Sequence, residues 1–215
     1  MNAYANKNGV KLLALVMVLA MIVTGAAIVL SDESVDAAPV EEKSFLTDIS
    51  NGSYELSRDT EVTVIDTITT ADVSGDTLNI SLADGVTAAT LTLTMNAVEG
   101  ANTGKQMFSG IDITVGTGVT LKLVIDAVSA VDNAKILVNG GLTINGGTVV
   151  FRQAANAAGQ SWWNNTAETL DINDNGQFIL DGANGFSNVI ADVEAGSSIE
   201  FKSTTSAKGA AMNFA

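Results

Sequence analysis

The sequence predicts an all-β chain, a parallel β-solenoid preceded by one apolar N-terminal helix. Three observations carry that expectation. Over 45–215 short runs alternate apolar with polar residues and are rich in Val, Ile, Leu and Thr, the period-two signature of half-buried strands. Those runs come in pairs around turns that contain glycine, and the pairs recur along the chain. Ahead of them lies an uncharged run of nineteen residues, 12–30, that has the length and apolarity of a membrane-depth helix.

The N-terminal segment comes first. Lys7 and Lys11 precede the apolar run, and Asp32, Glu33, Asp36, Glu41 and Glu42 follow it. As a helix the run would extend about 28 Å, close to the thickness of a bilayer's hydrocarbon core. Basic before and acidic after is the charge asymmetry of an exported chain. Val35-Asp36-Ala37 places small residues at the −3 and −1 positions of a cleavage site, so residues 1–37 read as a signal peptide. The run exceeds the usual length of a signal peptide's apolar core, which keeps a retained anchor open as the alternative. Prepilin-type processing after Gly9 is the third reading. Each places the remainder outside the cell or in its envelope, with membrane contact only through 12–30 if that run is kept.

Residues 38–44, with the chain's single proline at Pro39, read as a short acidic linker. The strand domain is then expected over 45–215. Its runs include Thr77-Leu-Asn-Ile-Ser-Leu82, Thr90-Leu-Thr-Leu-Thr94, Ile111-Asp-Ile-Thr-Val115, Thr120-Leu-Lys-Leu-Val-Ile125 and Ser198-Ile-Glu-Phe-Lys202. The turn glycines 85, 118, 147, 176 and 196 stand 33, 29, 29 and 20 residues apart, as in the rungs of a solenoid with insertions. Glycine suits such corners because it adopts positive φ without strain. A two-sheet β-sandwich is the competing architecture, since short, evenly spaced strands suit it too. Only 5% of residues are aromatic, so the core must be built from aliphatic side chains, which favours the solenoid.

The start Asn6-Lys-Asn-Gly-Val-Lys-Leu-Leu-Ala14, the apolar run, the acidic spacer and the Thr/Asn/Gly-rich rungs together resemble the adhesin-like surface proteins of gut methanogenic archaea. The resemblance implies right-handed β-helix, pectin-lyase-like repeats, an envelope location and a role in attachment.

Composition excludes several chemistries. The chain has no His and no Cys, so Ser-His-Asp and Cys-His catalysis, His-ligated zinc, disulfides and thiolate chemistry are ruled out. A formal net charge of −14 argues against a nucleic-acid surface. No P-loop, dinucleotide fingerprint or paired-carboxylate motif stands out, and the chain is not expected to be an enzyme.

The remaining candidates are binding and modification sites. Asp171-Ile-Asn173-Asp174-Asn175-Gly176 matches the first half of a calcium loop, with Asp171, Asn173, Asn175 and Asp181 as ligands, although Gly182 stands where the closing acid belongs. No other cofactor is expected. Trp162 and Trp163 sit in a polar insertion, 153–169, and could stack on sugar rings. Sequons begin at Asn51, Asn79 and Asn164, of which Asn164 reads as best placed in an exposed loop and Asn79 as worst placed within a strand. The expected function is therefore an exported structural or adhesin-like protein whose rigid solenoid presents the loops 95–110 and 153–169 for attachment, with self-association through the solenoid ends and surface glycans as the candidate partners. The alternatives are a self-assembling filament or surface-layer subunit, associating through the solenoid ends, and a carbohydrate-binding or carbohydrate-active β-helix.

Overall fold

The computed structural model describes residues 38–97, 106–127, 134–153, 161–182, 185–202 and 211–214. The apolar run 12–30, the cleavage site after Ala37, and residues 98–105 and 154–160 of the two expected presenting loops lie outside the described residues. The strand-rich unit runs Ala37–Ala215. Among the described residues no helix is long and apolar enough to cross a membrane.

The chain is all-β with parallel sheets. One ladder joins β1 (Ala38–Val40), β3 (Thr60–Val64), β6 (Ala89–Ala97), β9 (Val119–Ala127), β12 (Thr148–Gln153), β14 (Gln177–Asp181) and β16 (Ser198–Lys202) in that spatial order. A second joins β2 (Ser53–Leu56), β5 (Thr77–Leu82), β8 (Asp112–Val115) and β11 (Leu142–Asn145) to the C-terminal part of β13 (Trp162–Asn173), which pairs with that of β15 (Gly185–Val193). A third joins β4 (Ile68–Thr69), β7 (Gln106–Ser109) and β10 (Lys135–Val138) to the N-terminal parts of β13 and β15, and then to β17 (Ala211–Phe214). Every one of these strand pairs is parallel, so each strand meets its neighbour only after a crossover. A sandwich assembled from antiparallel hairpins, the competing expectation, does not pair in this way.

The registers explain why the sequence alternates. In the first ladder Val62, Leu93, Leu123, Phe151 and Leu180 are partners in turn and form one column of the core, with Phe201 next in register at its exposed end. In the second, Ile80, Val115, Ile144, Ile172 and Val193 form another. Parallel strands lie about 4.8 Å apart, so each inward side chain touches the one above and the one below it. The intervening residues point outward, among them the row Thr90, Thr120, Thr148, Gln177 and Ser198.

Two findings differ from the sequence reading. The expected linker over 38–44 is instead ordered structure. β1 pairs with β3, and a helix, α1 (Glu42–Ile49), follows it directly. Phe45 and Ile49, one turn apart, are fully buried, and Phe45 meets Tyr54 edge-on at 5.1 Å between ring centroids. Glu42 Oε1 accepts from the Ile65 and Asp66 N–H groups at 2.7 and 3.2 Å, tying α1 to the chain leaving β3. The helix covers the N-terminal end of the core. The second finding is an aromatic group where an aliphatic core was expected. Phe151, Trp162, Phe178 and Phe186 are buried, with centroid separations of 5.0 to 6.3 Å.

The corners also refine the expectation about glycine. Gly118 does take φ +75°, and a Cβ there would lie 2.5 Å from the Thr87 carbonyl oxygen. Gly147 has no positive φ. It is needed because a Cβ would lie 2.6 Å from the Gly116 carbonyl oxygen of the preceding corner. Close stacking of successive corners, as much as conformation, selects glycine here.

Truncating Phe45→Ala removes the plug of α1 and is expected to cost roughly 3–5 kcal/mol, read as a lowered midpoint in urea unfolding. Burial first, and the Asp48 carboxylate second, push the Tyr54 phenol above the ordinary tyrosine value. The protonated form is therefore favoured by folding. Stability is expected to be intact below the ordinary tyrosine range and to fall as pH rises through and above it. Tyr54→Phe should flatten that alkaline loss in a pH series of unfolding curves.

Candidate functional site

The residues singled out by sequence do not converge on one site. Asp171 and Asn173 lie on the C-terminal part of β13, at outward positions either side of buried Ile172. The Asn173 side-chain amide donates to Asn145 Oδ1 at 3.1 Å, continuing a polar row between neighbouring strands. Asn175 is in the following turn with φ +63°. Asp181 is at the far end of β14, in the first ladder, about 13 Å along the strand from Gln177. There it stands 3.8 Å from Arg152 Nε. Calcium ligands must all lie about 2.3–2.6 Å from the ion, and these four do not surround a common point. The calcium-loop reading is thereby corrected: the segment is a strand, a turn and a second strand in another ladder. Among the described residues no group of three or more acids is placed to hold a metal.

The tryptophan pair is also corrected. Trp162 and Trp163 open β13 rather than an insertion, and consecutive strand residues face opposite ways. Trp162 is 0% exposed, its indole N–H donating to the Gly140 carbonyl at 3.0 Å, so it has no face for a sugar. Trp163 is half-buried on the outer side, with the Lys135 ammonium 4.2 Å from its ring centroid. Burial lowers the Lys135 pKa below the usual lysine value.

Of the sequons, Asn164 is 0% exposed, not in an exposed loop. Its Oδ1 accepts from Gly140 N–H at 3.3 Å and its carbonyl accepts from the Asn188 amide at 2.9 Å. Its amide nitrogen, the atom a glycan would modify, is enclosed. Asn51 is exposed in the turn after α1, its Oδ1 accepting from the Ser53 N–H and hydroxyl at 2.9 and 2.8 Å. Asn79 is exposed on the outer face of β5, its amide donating to the Gly52 carbonyl at 3.3 Å. The order expected from sequence is reversed.

A different place gathers chemistry. The outer face of the first ladder carries a shallow concavity of about 380 Å³, lined by residues of β9, β12, β14 and β16. Its apolar members are Val124, Val150 and Ile179. Ile179 points outward yet is only 7% exposed, and so forms the floor. Lys122, Arg152 and Lys202 line the same concavity, with the hydroxyls of Thr120 and Thr148. Six basic residues lie among the described ones, and half of them gather here on a chain of net charge −14. Asp181 is the one carboxylate in the lining. Its 3.8 Å contact with Arg152 is long and single, and the Arg152 side chain is 65% exposed, leaving guanidinium donors facing solvent. Lys202 pairs with Glu200 at 3.3 Å, two residues earlier on the same face. Lys122 has no carboxylate within salt-bridge distance among the described residues.

An apolar floor bounded by ammonium and guanidinium groups can hold a carboxylate whose remaining surface is apolar or hydroxylated. One lining carboxylate does not make the acid pair that glycoside hydrolysis uses. No local sequence motif marks this place, because its members lie on four separate strands. The signal was present in the outward positions: Lys122, Val124, Val150, Arg152 and Ile179 replace the Thr that fills the equivalent places of β6.

Comparison with protein-family models, with curated proteins and with solved structures gave no match in any of the three.

If the protein meets a glycosylating system, glycopeptide mass spectrometry is expected to find glycan at Asn51 or Asn79 and none at Asn164. A peptide modified at Asn164 in folded protein would contradict the burial described above.

Proposed function

We propose that the chain is an exported, envelope-associated protein whose strands coil as a right-handed parallel β-helix, and that it serves attachment by holding carboxylated surface glycans on the outer face of its first ladder. The observation that carries this reading is the concavity between β9 and β16, where three cations border three outward-pointing apolar side chains on a strongly acidic chain. The β-helix is supported by the order of visits: second, first and third ladder, repeated from β2 to β17. Export is supported by the basic start, the apolar run and the acidic segment after it, and an adhesin-like role by the resemblance in the N-terminus and the rungs. A stack of strands holds its outward groups at fixed spacing, and that rigidity is what an extended saccharide requires of a binding surface.

The test uses an oligogalacturonate and its neutral methyl ester as paired probes, with the full chain in detergent micelles and calorimetric or fluorescence detection. The acid is expected to bind and the ester to bind much more weakly. Lys122→Ala with Arg152→Ala should weaken binding of the acid about tenfold or more, since hydrogen bonds to charged groups contribute about 1.5–3 kcal/mol each. Equal affinity for acid and ester would sink the charge-based reading. Sequencing the N-terminus of the native protein tests export: a start at Ala38 indicates cleavage, and a chain that keeps 12–30 in the envelope fraction indicates an anchor.

A further inference from the structure

The two ends of the ladders differ, and the difference defines an interaction surface. At the N-terminal end the first ladder closes on β1, a three-residue strand containing Pro39, and α1 inserts Phe45 and Ile49 over the core. A short, proline-bearing edge is poor at recruiting another strand. At the other end β16 has a strand neighbour on one side only, among the described residues. The core columns run out there. Phe201 follows Leu180 in its column and Val193 follows Ile172. The inner members are 1% and 0% exposed, the outer ones 43% and 40%.

We infer that this end binds a second copy of the same chain, β16 pairing antiparallel with β16 about a two-fold axis at Phe201. With the first ladder ended at the opposite side by β1 and α1, two β16 edges are better matched to each other than to that end, which favours an isologous contact. The register follows from charge. Antiparallel pairing keeps inward residues on one face only in alternate registers. The register centred on Phe201 sets Phe201 against Phe201 of the second copy and places Glu200 opposite Lys202 of the second copy, twice by symmetry. The neighbouring register, centred on Glu200, sets the two Glu200 carboxylates against each other, which is unfavourable. The favoured pairing continues the first ladder across the axis and brings the two concavities, each bordered by its own Lys202, side by side. The inference does not depend on what the concavity binds.

The chain has no cysteine, so introduced thiols report on the interface alone. E200C and K202C variants of the full chain, mixed in detergent micelles and oxidised, are expected to form a disulfide-linked dimer far more readily than either variant alone. In sedimentation experiments E200K should weaken the dimer about tenfold or more by facing lysine with lysine, and the E200K/K202E double variant should restore it. Efficient cross-linking of E200C alone would overturn the proposed register. A wild-type chain that stays monomeric at tens of micromolar, or E200K dimerising as well as wild type, would overturn the interface and leave the edge to a non-identical partner.

Discussion

Everything in this chain depends on the vertical contact between equivalent residues of successive parallel strands. No single pass of the chain can bury its apolar face, because three to five inward side chains enclose nothing by themselves. Leu123 is buried because Leu93 lies beneath it and Phe151 above it. The same rule sets the outer surface. Once inward residues are stacked in register, outward residues are stacked too, and rows such as Thr90, Thr120 and Thr148, or the cations of the concavity, follow without any further constraint. A site on such a protein is assembled from residues distant in sequence, each on its own strand of a parallel ladder.

The corners have to keep that register, and they do so with backbone conformations that few residues accept. Asn139 and Asn188 take φ +51° and +58°, and Asn164 lies between them in the third stack. Their amides span the gaps: Asn139 Oδ1 accepts from Asn165 N–H at 2.8 Å, and the Asn188 amide donates to the Asn164 carbonyl. Asparagine tolerates the left-handed region and can replace the hydrogen bonds that a strand loses on turning. Asn164, at 0% exposure, is held between these two corners, and with Ser161 and Gln153 it is one of the few polar side chains buried beside the hydrocarbon core.

Much of this architecture was legible in the sequence, for a definite reason. Alternation survives wherever a strand is straight and one-sided, so Thr120 to Ile125 gave both the strand and the faces of its side chains. The failures occur where the period breaks. β13 turns a corner in mid-strand, and its stretch 165–169 is largely exposed between two buried ends, so Trp162, Trp163 and Asn164 read as an insertion. α1 offers only three apolar residues, Phe45, Leu46 and Ile49, in eight positions, fewer than periodicity needs to register as a helix. The concavity was missed because its members are scattered over some eighty positions of sequence. Only the registers, which no local pattern encodes, bring Lys122, Arg152 and Lys202 to one face.

The plug at α1 has a consequence for biosynthesis. The ribosome delivers the N-terminal end first, so in a chain that folds during synthesis the end covered by Phe45 and Ile49 is available before most of the strands that follow it. Each later strand then finds a finished template on one side and an unfinished edge on the other. Order laid down in that way leaves one frontier exposed to misdirected pairing, where a stack nucleated in its middle would expose two.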